Sequence, residues 1–360
     1  MDIASLLLFS LPGFKLWDMK NRTAGAMPSE NSQTKAAGAM PAKNAQAQTA
    51  GAMPAKNALC FFLASLIWGT AFVAQSIGGE EIDAFAFCGL RFLMAAGVLV
   101  PVIIAKRAAK KKHAAAYGAG GPERVKGAVF SPSFGRALAG GLLSGLALFV
   151  AATLQQKGIE HTDVGKAGFL TALYIIIVPC ISFIFTKRSK LRVWIAAVIA
   201  LSGLYFLCVG PGESLTLGKW ELSLVACAFA FSIQIMLIDR FSPDTDPIIL
   251  SFVEFLTAGL AGTAAAFING TLSLAGTSGE AVFALLYAGI ISSGVAYTLQ
   301  VIGQRGADPA IASLIMSLEA PISAVAGFFI LGQTLSAREI AGCALMFAAI
   351  ILAQLPERTG

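Results

Sequence analysis

This sequence predicts an all-α integral membrane protein of about ten transmembrane helices, and three observations carry that expectation. Apolar runs recur from Ala58 to Leu355 between short polar joints, and ~20 residues of helix are enough to cross the hydrocarbon of a bilayer. The chain of 360 residues is 56% hydrophobic and 13% charged, well below the charged share of about 25% in soluble domains. Its mean hydropathy is +0.75. Basic residues also crowd into alternate joints, as they do when short loops are held on the cytoplasmic side.

The runs place helices at Ala58–Gln75, Ala84–Ala105, Ala137–Gln156, Val164–Thr186 and Leu191–Val209. Five more follow at Leu217–Ile238, Ile248–Ile268, Ala281–Ile302, Pro309–Gly332 and Glu339–Leu355. The joint after the second span holds Lys106, Arg107, Lys110, Lys111, Lys112, Arg124, Lys126 and Arg136, and the joint after the fourth holds Lys187, Arg188, Lys190 and Arg192. The alternate joints carry Glu80, Glu81 and Asp83, then Glu160, His161 and Asp163, then Glu213. Both termini are therefore expected in the cytoplasm. The same asymmetry accounts for the net charge of +6, so no nucleic-acid partner is needed to explain it.

Residues 1–57 differ in kind. AGAMP recurs at Ala24–Pro28, Ala37–Pro41 and Ala50–Pro54, each glycine thirteen residues after the last. The segment has too little apolar surface to offset chain entropy, so disorder is expected. Initiation at Met53 would fit the first helix equally well. The six cysteines fall within or at the ends of spans, without a CxxC pair or neighbouring histidine. That excludes an obvious metal site, no cofactor is expected, and His113 and His161 lie in joints where no catalytic triad assembles.

An internal symmetry divides the membrane part. LRFLMAAG around Arg91 matches VEFLTAG around Glu254, while Pro179 superposes on Pro321 with Thr171 against Ser313. Two halves of five helices follow, residues 58–210 and 217–356. An odd number of spans per half gives them opposite topology, the inverted repeat used for alternating access.

Chemistry should show as polar groups kept in a medium that penalises them. Arg91, Lys166, Glu254 and Glu319 are the ionisable candidates. Arg91 and Glu254 could instead form a buried ion pair or snorkel, and Lys166 lies near enough to an interface to snorkel. Glu319, near the middle of its span, is too short to reach water. Ser293, Tyr297, Gln300 and Gln304 recur at helical steps on the eighth span, and Trp68, Phe72 and Gln75 do so on the first. Buried amides there would need partners. Packing is the favoured reading of Trp68 taken alone, and of Gly141 and Gly145 in the third span.

Thr162–Phe185 (TDVGKAGFLTALYIIIVPCISFIF) and Gly306–Leu352 resemble the two EamA repeats of the drug/metabolite transporter superfamily, and LIWGTAFVAQ at Leu66–Gln75 with LRF at Leu90–Phe92 is similar to the start of the first. The resemblance covers Ala58 to Leu355. It implies a ten-helix carrier with both termini inside that exports or exchanges small metabolites across the cytoplasmic (inner) membrane. Gln333, in LGQT, stands where that family usually has an acid. The expected function is secondary active transport of a small, amphipathic or zwitterionic metabolite, coupled to protons through Glu319 or Glu254. The lipid bilayer is the main environment, and a homodimer is compatible with the chain. An intramembrane enzyme, a channel and a non-transporting scaffold are the alternatives.

Overall fold

Short polar signals decide where several helices begin. Asp246 and Asp308, each followed by proline, cap helices by accepting from the backbone N–H two residues on, both at 2.9 Å. Ser278 caps another start, and Ser336 with Glu339 forms a reciprocal capping box. The computed structural model describes residues 53–116, 132–162, 164–186, 191–210, 212, 218–331 and 334–355. The AGAMP repeats, apart from Met53 and Pro54, and Gln333 lie outside the described residues.

The described part holds ten helices long and apolar enough to cross a membrane. We number the spans α1 (Ala55–Gly79), α2 (Ala84–Ala116), α3 (Pro132–Ile159), α4a (Val164–Thr171) with α4b (Tyr174–Thr186), and α5 (Leu191–Cys208). The rest are α6 (Lys219–Phe241), α7 (Pro247–Ile268), α8 (Gly279–Gln304 in all), α9a (Pro309–Met316) with α9b (Glu319–Leu331), and α10 (Ala337–Gln354). The second span outruns the expected Ala105 because Ala and Lys in Ala105–Ala116 favour helix even where the apolar run has ended.

Three spans depart from a plain helix. In α8, Tyr287–Tyr297 is a π-helix, a form common at functional positions. The fourth and ninth spans, read from sequence as continuous, are each broken at two residues, Ala172–Leu173 and Ser317–Leu318. Pro321 explains the second break, since it has no N–H to give the Ser317 carbonyl, which accepts from Ala320 at 3.2 Å instead. In the fourth span Pro179 lies well beyond the break, inside α4b, and the chain crosses Ala172–Leu173 on tightened bonds such as Ile175 N–H to Ala172 O at 3.0 Å.

The bundle is inside out relative to a soluble protein. Leu66, Leu146, Phe229, Leu260, Phe283 and Ile351 face outward, while Arg91, Glu254, Glu319 and six glutamines are buried among the described residues. Only a lipid exterior makes that distribution favourable. Helix α2 lies along α7, α5 along α10, and α3 against α6 and α7. Two of these seams close backbone to backbone. A Cβ at Gly262 would stand 2.8 Å from the Gly89 Cα, and one at Gly203 would stand 2.7 Å from the Gly342 oxygen. Gly141 and Gly145 bring α3 equally near Val253 and the Glu254 backbone of α7. At the joint between α6 and α7, Asp246 pairs with Lys106 at 2.8 Å and Asp244 with Arg136 at 3.2 Å.

Candidate functional site

Both helix breaks open on the same internal cavity. Thr171 and Tyr174 flank the first break and Met316 and Glu319 the second, and all four line it; the space free of protein atoms there, including what is open to the outside, is about 490 Å³. Broken helices leave backbone unpaired by the regular ladder, which is tolerated at membrane depth only where protein or a polar cavity receives it. The Tyr174 hydroxyl donates to Glu319 Oε1 at 3.0 Å across the space, so the first residue of α4b meets the first residue of α9b. Glu319 is 7% exposed.

The other wall is basic and aromatic. Arg91, on α2, is 1% exposed and gives Nη1 to Gln75 Oε1 on α1 at 2.9 Å, with its guanidinium 4.7 Å from the Phe92 ring centre. Its Nε has no partner among the described residues, and no ion pair holds Arg91 there either. Trp68 and Tyr297 pack at 4.8 Å between ring centres, and the indole N–H donates to the Ser292 carbonyl at 3.2 Å, within the π-helix. The widened turn thus supplies the carbonyl that fixes Trp68 at the cavity wall.

A line of amides runs behind this space. Gln234 Nε2 donates to Glu254 Oε1 at 2.8 Å, Gln300 Nε2 to Gln234 Oε1 at 3.2 Å and to Gln304 Oε1 at 3.1 Å, and Gln304 Nε2 to the Ile235 carbonyl at 3.0 Å. Gln234 and Gln300 face the cavity, and Gln300 Oε1 is buried without a partner among the described residues. On the opposite side Gln156 Nε2 donates to the Gln75 carbonyl at 2.9 Å and reaches Glu160 Oε1 at 3.5 Å. Glu160 lies past the end of α3, where burial pushes its carboxyl up to about 7. Asp83 adds to that rise, while Gln156 and Lys157 oppose it.

The sequence profile of the EamA-like transporter family matches residues 55–209 and again 218–355. The chain belongs to the EamA-like transporter family. An uncharacterized transporter of Archaeoglobus fulgidus is 25% identical over 298 residues, 81% of this chain and 84% of its own length. The uncharacterized inner membrane transporter YedA of Escherichia coli is 24% identical over 301 residues, 82% and 89% of the two chains. A solved crystal structure of a protein superposes with a TM-score of 0.62 at 17% identity, covering 82% of this chain and 96% of that one, and so shares the fold. This EamA-like transporter is accordingly a multi-pass membrane protein, and a membrane transporter of this kind handles a small molecule within the bilayer.

Within the EamA-like bundle the residues singled out from sequence separate into three groups. Trp68, Gln75, Arg91, Tyr297, Gln300 and Glu319 share the cavity wall. Glu254 and Ser293 are fully buried but are not part of that wall; Glu254 connects to it through Gln234. Lys166 belongs to α4a, and its side chain lies outside what is described. Sequence reasoning did not single out Tyr174, Gln155 and Gln234 as lining residues. The two glutamines carried the usual signal, an amide inside an apolar run, whereas Tyr174 reaches the cavity only because the fourth span breaks just before it.

Proposed function

We propose that this EamA-like transporter is a secondary carrier that exports or exchanges a small metabolite across the cytoplasmic membrane by alternating access. The observation that carries the reading is the meeting of the two broken spans at one cavity, joined by the hydrogen bond from Tyr174 to Glu319. Carriers built from repeats place their sites where discontinuous helices of the two halves face each other near the bilayer midplane. The repeats are residues 58–210 and 217–356, in opposite orientation. Support for that division comes from the α2–α7 and α5–α10 pairings, which join second with second and fifth with fifth, and from the two breaks, in the fourth helix of each half. The basic joints after the second and fourth spans favour cytoplasmic termini.

The driving force on this reading is an ion or substrate gradient, with Glu319 or Glu254 taking the proton. Reconstitution of the full chain into proteoliposomes tests the carrier directly. Saturable flux with accelerated exchange by substrate on the far side is the expected outcome. Flux that rises linearly with concentration and shows no counterflow would replace the carrier with a channel.

A further inference from the structure

A second recess lies where the end of α3 meets the start of α6, and it shares no lining residue with the cavity between the broken spans. Its space, including what is open to the outside, is about 730 Å³, with Lys157, Glu160 and His161 on one side and Lys219, Trp220 and Ser223 on the other. Ser223 Oγ donates to the Leu154 carbonyl at 3.1 Å and ties the two helices together at its base. The His161 ring stacks on Trp220 at 3.9 Å between centres, and its Nδ1 donates to the Lys157 carbonyl at 3.0 Å. Lys219 Nζ stands 4.6 Å from the Trp220 ring centre and Lys157 Nζ 4.1 Å from that of Phe85, and neither ammonium is in a salt bridge among the described residues. Glu160, the acid of this wall, is held toward its neutral form by burial. The recess therefore keeps a positive charge that its own residues leave unanswered.

We propose that this recess binds the headgroup of an anionic phospholipid, its phosphate answered by Lys157 and Lys219 and its acyl chains on the outward faces of α3 and α6. The depth is right for a headgroup, because the apolar span of α3 ends at Ile159 and that of α6 begins at Lys219. Trp220 has the amphipathic ring that sits at the boundary between lipid and water. Deeper in the membrane, Leu142, Leu146 and Val150 recur every fourth residue on the exposed face of α3, and Leu222 and Phe229 are exposed on α6. A soluble anion would use the lysines and forgo those apolar faces, whereas a zwitterionic lipid would bring an ammonium to a wall that is already basic. Basic pockets at the ends of spans are suited to anionic headgroups on the same electrostatic grounds. The topology favoured by the basic joints puts this recess in the non-cytoplasmic leaflet. Such a lipid would sit against a carrier or a channel alike, so its test is independent of flux.

The test is native mass spectrometry of the purified full-length protein in detergent. The probes are phosphatidylglycerol, phosphatidylethanolamine with the same chains, and glycerol 3-phosphate, which has the phosphate without the chains. Saturable binding of phosphatidylglycerol, tighter than phosphatidylethanolamine and far tighter than glycerol 3-phosphate, is expected. Lys157→Gln and Lys219→Gln should each weaken phosphatidylglycerol roughly fivefold and together about thirtyfold, the attraction of an anionic lipid surface for one and two basic side chains. Lys219 is exposed, so its single variant reads the site without endangering the fold. The double replacement by arginine keeps both charges and should keep the lipid. Lys110→Gln, in the basic joint after α2, controls for diffuse attraction and should weaken binding less than either recess variant. Equal binding of the two lipids by the wild type would overturn the proposal. So would an unchanged affinity for phosphatidylglycerol in the double glutamine variant, or an equal loss in Lys110→Gln. Glycerol 3-phosphate binding as tightly as the lipid would also overturn it and give the recess to a soluble anion.

Discussion

Glu319→Gln separates binding from coupling. The substitution keeps the size of the side chain and an acceptor for Tyr174, whose hydroxyl now stands 3.0 Å from the carboxylate, but it abolishes titration. A hydrogen bond to a charged group contributes about 1.5–3 kcal/mol and a neutral one about 0.5–1.5 kcal/mol, so the site loses about 1–2 kcal/mol, a roughly fivefold to thirtyfold weaker half-saturation. Exchange measured at saturating substrate should therefore persist. Coupling has a different magnitude, because one pH unit across the membrane is worth about 1.4 kcal/mol per proton, or about tenfold accumulation for a one-proton carrier. The assay is proteoliposomes with an imposed pH step, following a labelled metabolite that the wild type transports and the pH of the lumen with a trapped dye. Wild type should accumulate the label and move protons with it, while the variant should equilibrate without proton movement and exchange at a pH-independent rate. Accumulation by Glu319→Gln with unaltered pH dependence would refute the coupling role and leave Glu254, behind Gln234, as the group to test.

Cysteine accessibility checks the orientation: Lys111→Cys should resist an impermeant thiol reagent in intact cells while Glu80→Cys reacts, on a background freed of the native cysteines, and the opposite pattern would invert the topology. Glu80 is the better reporter in that joint because it is exposed, whereas a Cβ at Gly79 would stand 2.5 Å from Gln156 Nε2. Glu160 should report on pH. Its folded-state value of about 7 is above the ordinary 4.5, so its ionisation disfavours the fold as pH rises through that interval. Glu160→Gln should therefore melt with the wild type at pH 4.5 and above it at pH 8, and equal melting at both would show that the carboxyl is not strained. Gly342→Ala should destabilise by about 1–3 kcal/mol in detergent melts through overpacking, since its new Cβ would stand 2.5 Å from the Gly203 oxygen and 2.8 Å from the Leu207 nitrogen. Gly97→Ala, with nothing within 4 Å, should be neutral, and equal melting of the pair would disprove the seam.

The number of spans was legible because run length is a direct property of the sequence. So were Arg91, Gln75 and Glu319, since a polar group inside an apolar helix stands out before any neighbour is known. Less could be read where position depends on backbone irregularity. The steps from Ser293 to Gln304 assume regular α-helical turns, yet Tyr287–Tyr297 is a π-helix, whose wider turn shifts the face it presents. Tyr297 and Gln300 line the cavity while Ser293 and Gln304 do not. Tyr174 was hidden because Pro179, the visible breaker, does not mark the break, whereas Gln234 carried the same signal as Gln75 and only its link to Glu254, on another helix, was out of reach. Nothing in the spacing of residues within a helix encodes which other helix it meets.

The glycine seams bear on how such a molecule could move. Where Gly89 meets Gly262 and Gly203 meets Gly342, main chain rides on main chain, with the nearest side-chain atoms, of Thr263, Leu207, Leu345 and Met346, beside the contact. Interdigitated side chains act like gear teeth, since relative motion requires them to disengage and find new rotamers. A bare seam acts like a plain bearing, with a contact surface that stays nearly the same through a small rotation. On the proposed carrier reading the two helix pairs would be the pivots on which one half rocks against the other, and a single methyl group at either pivot would act as grit in the joint.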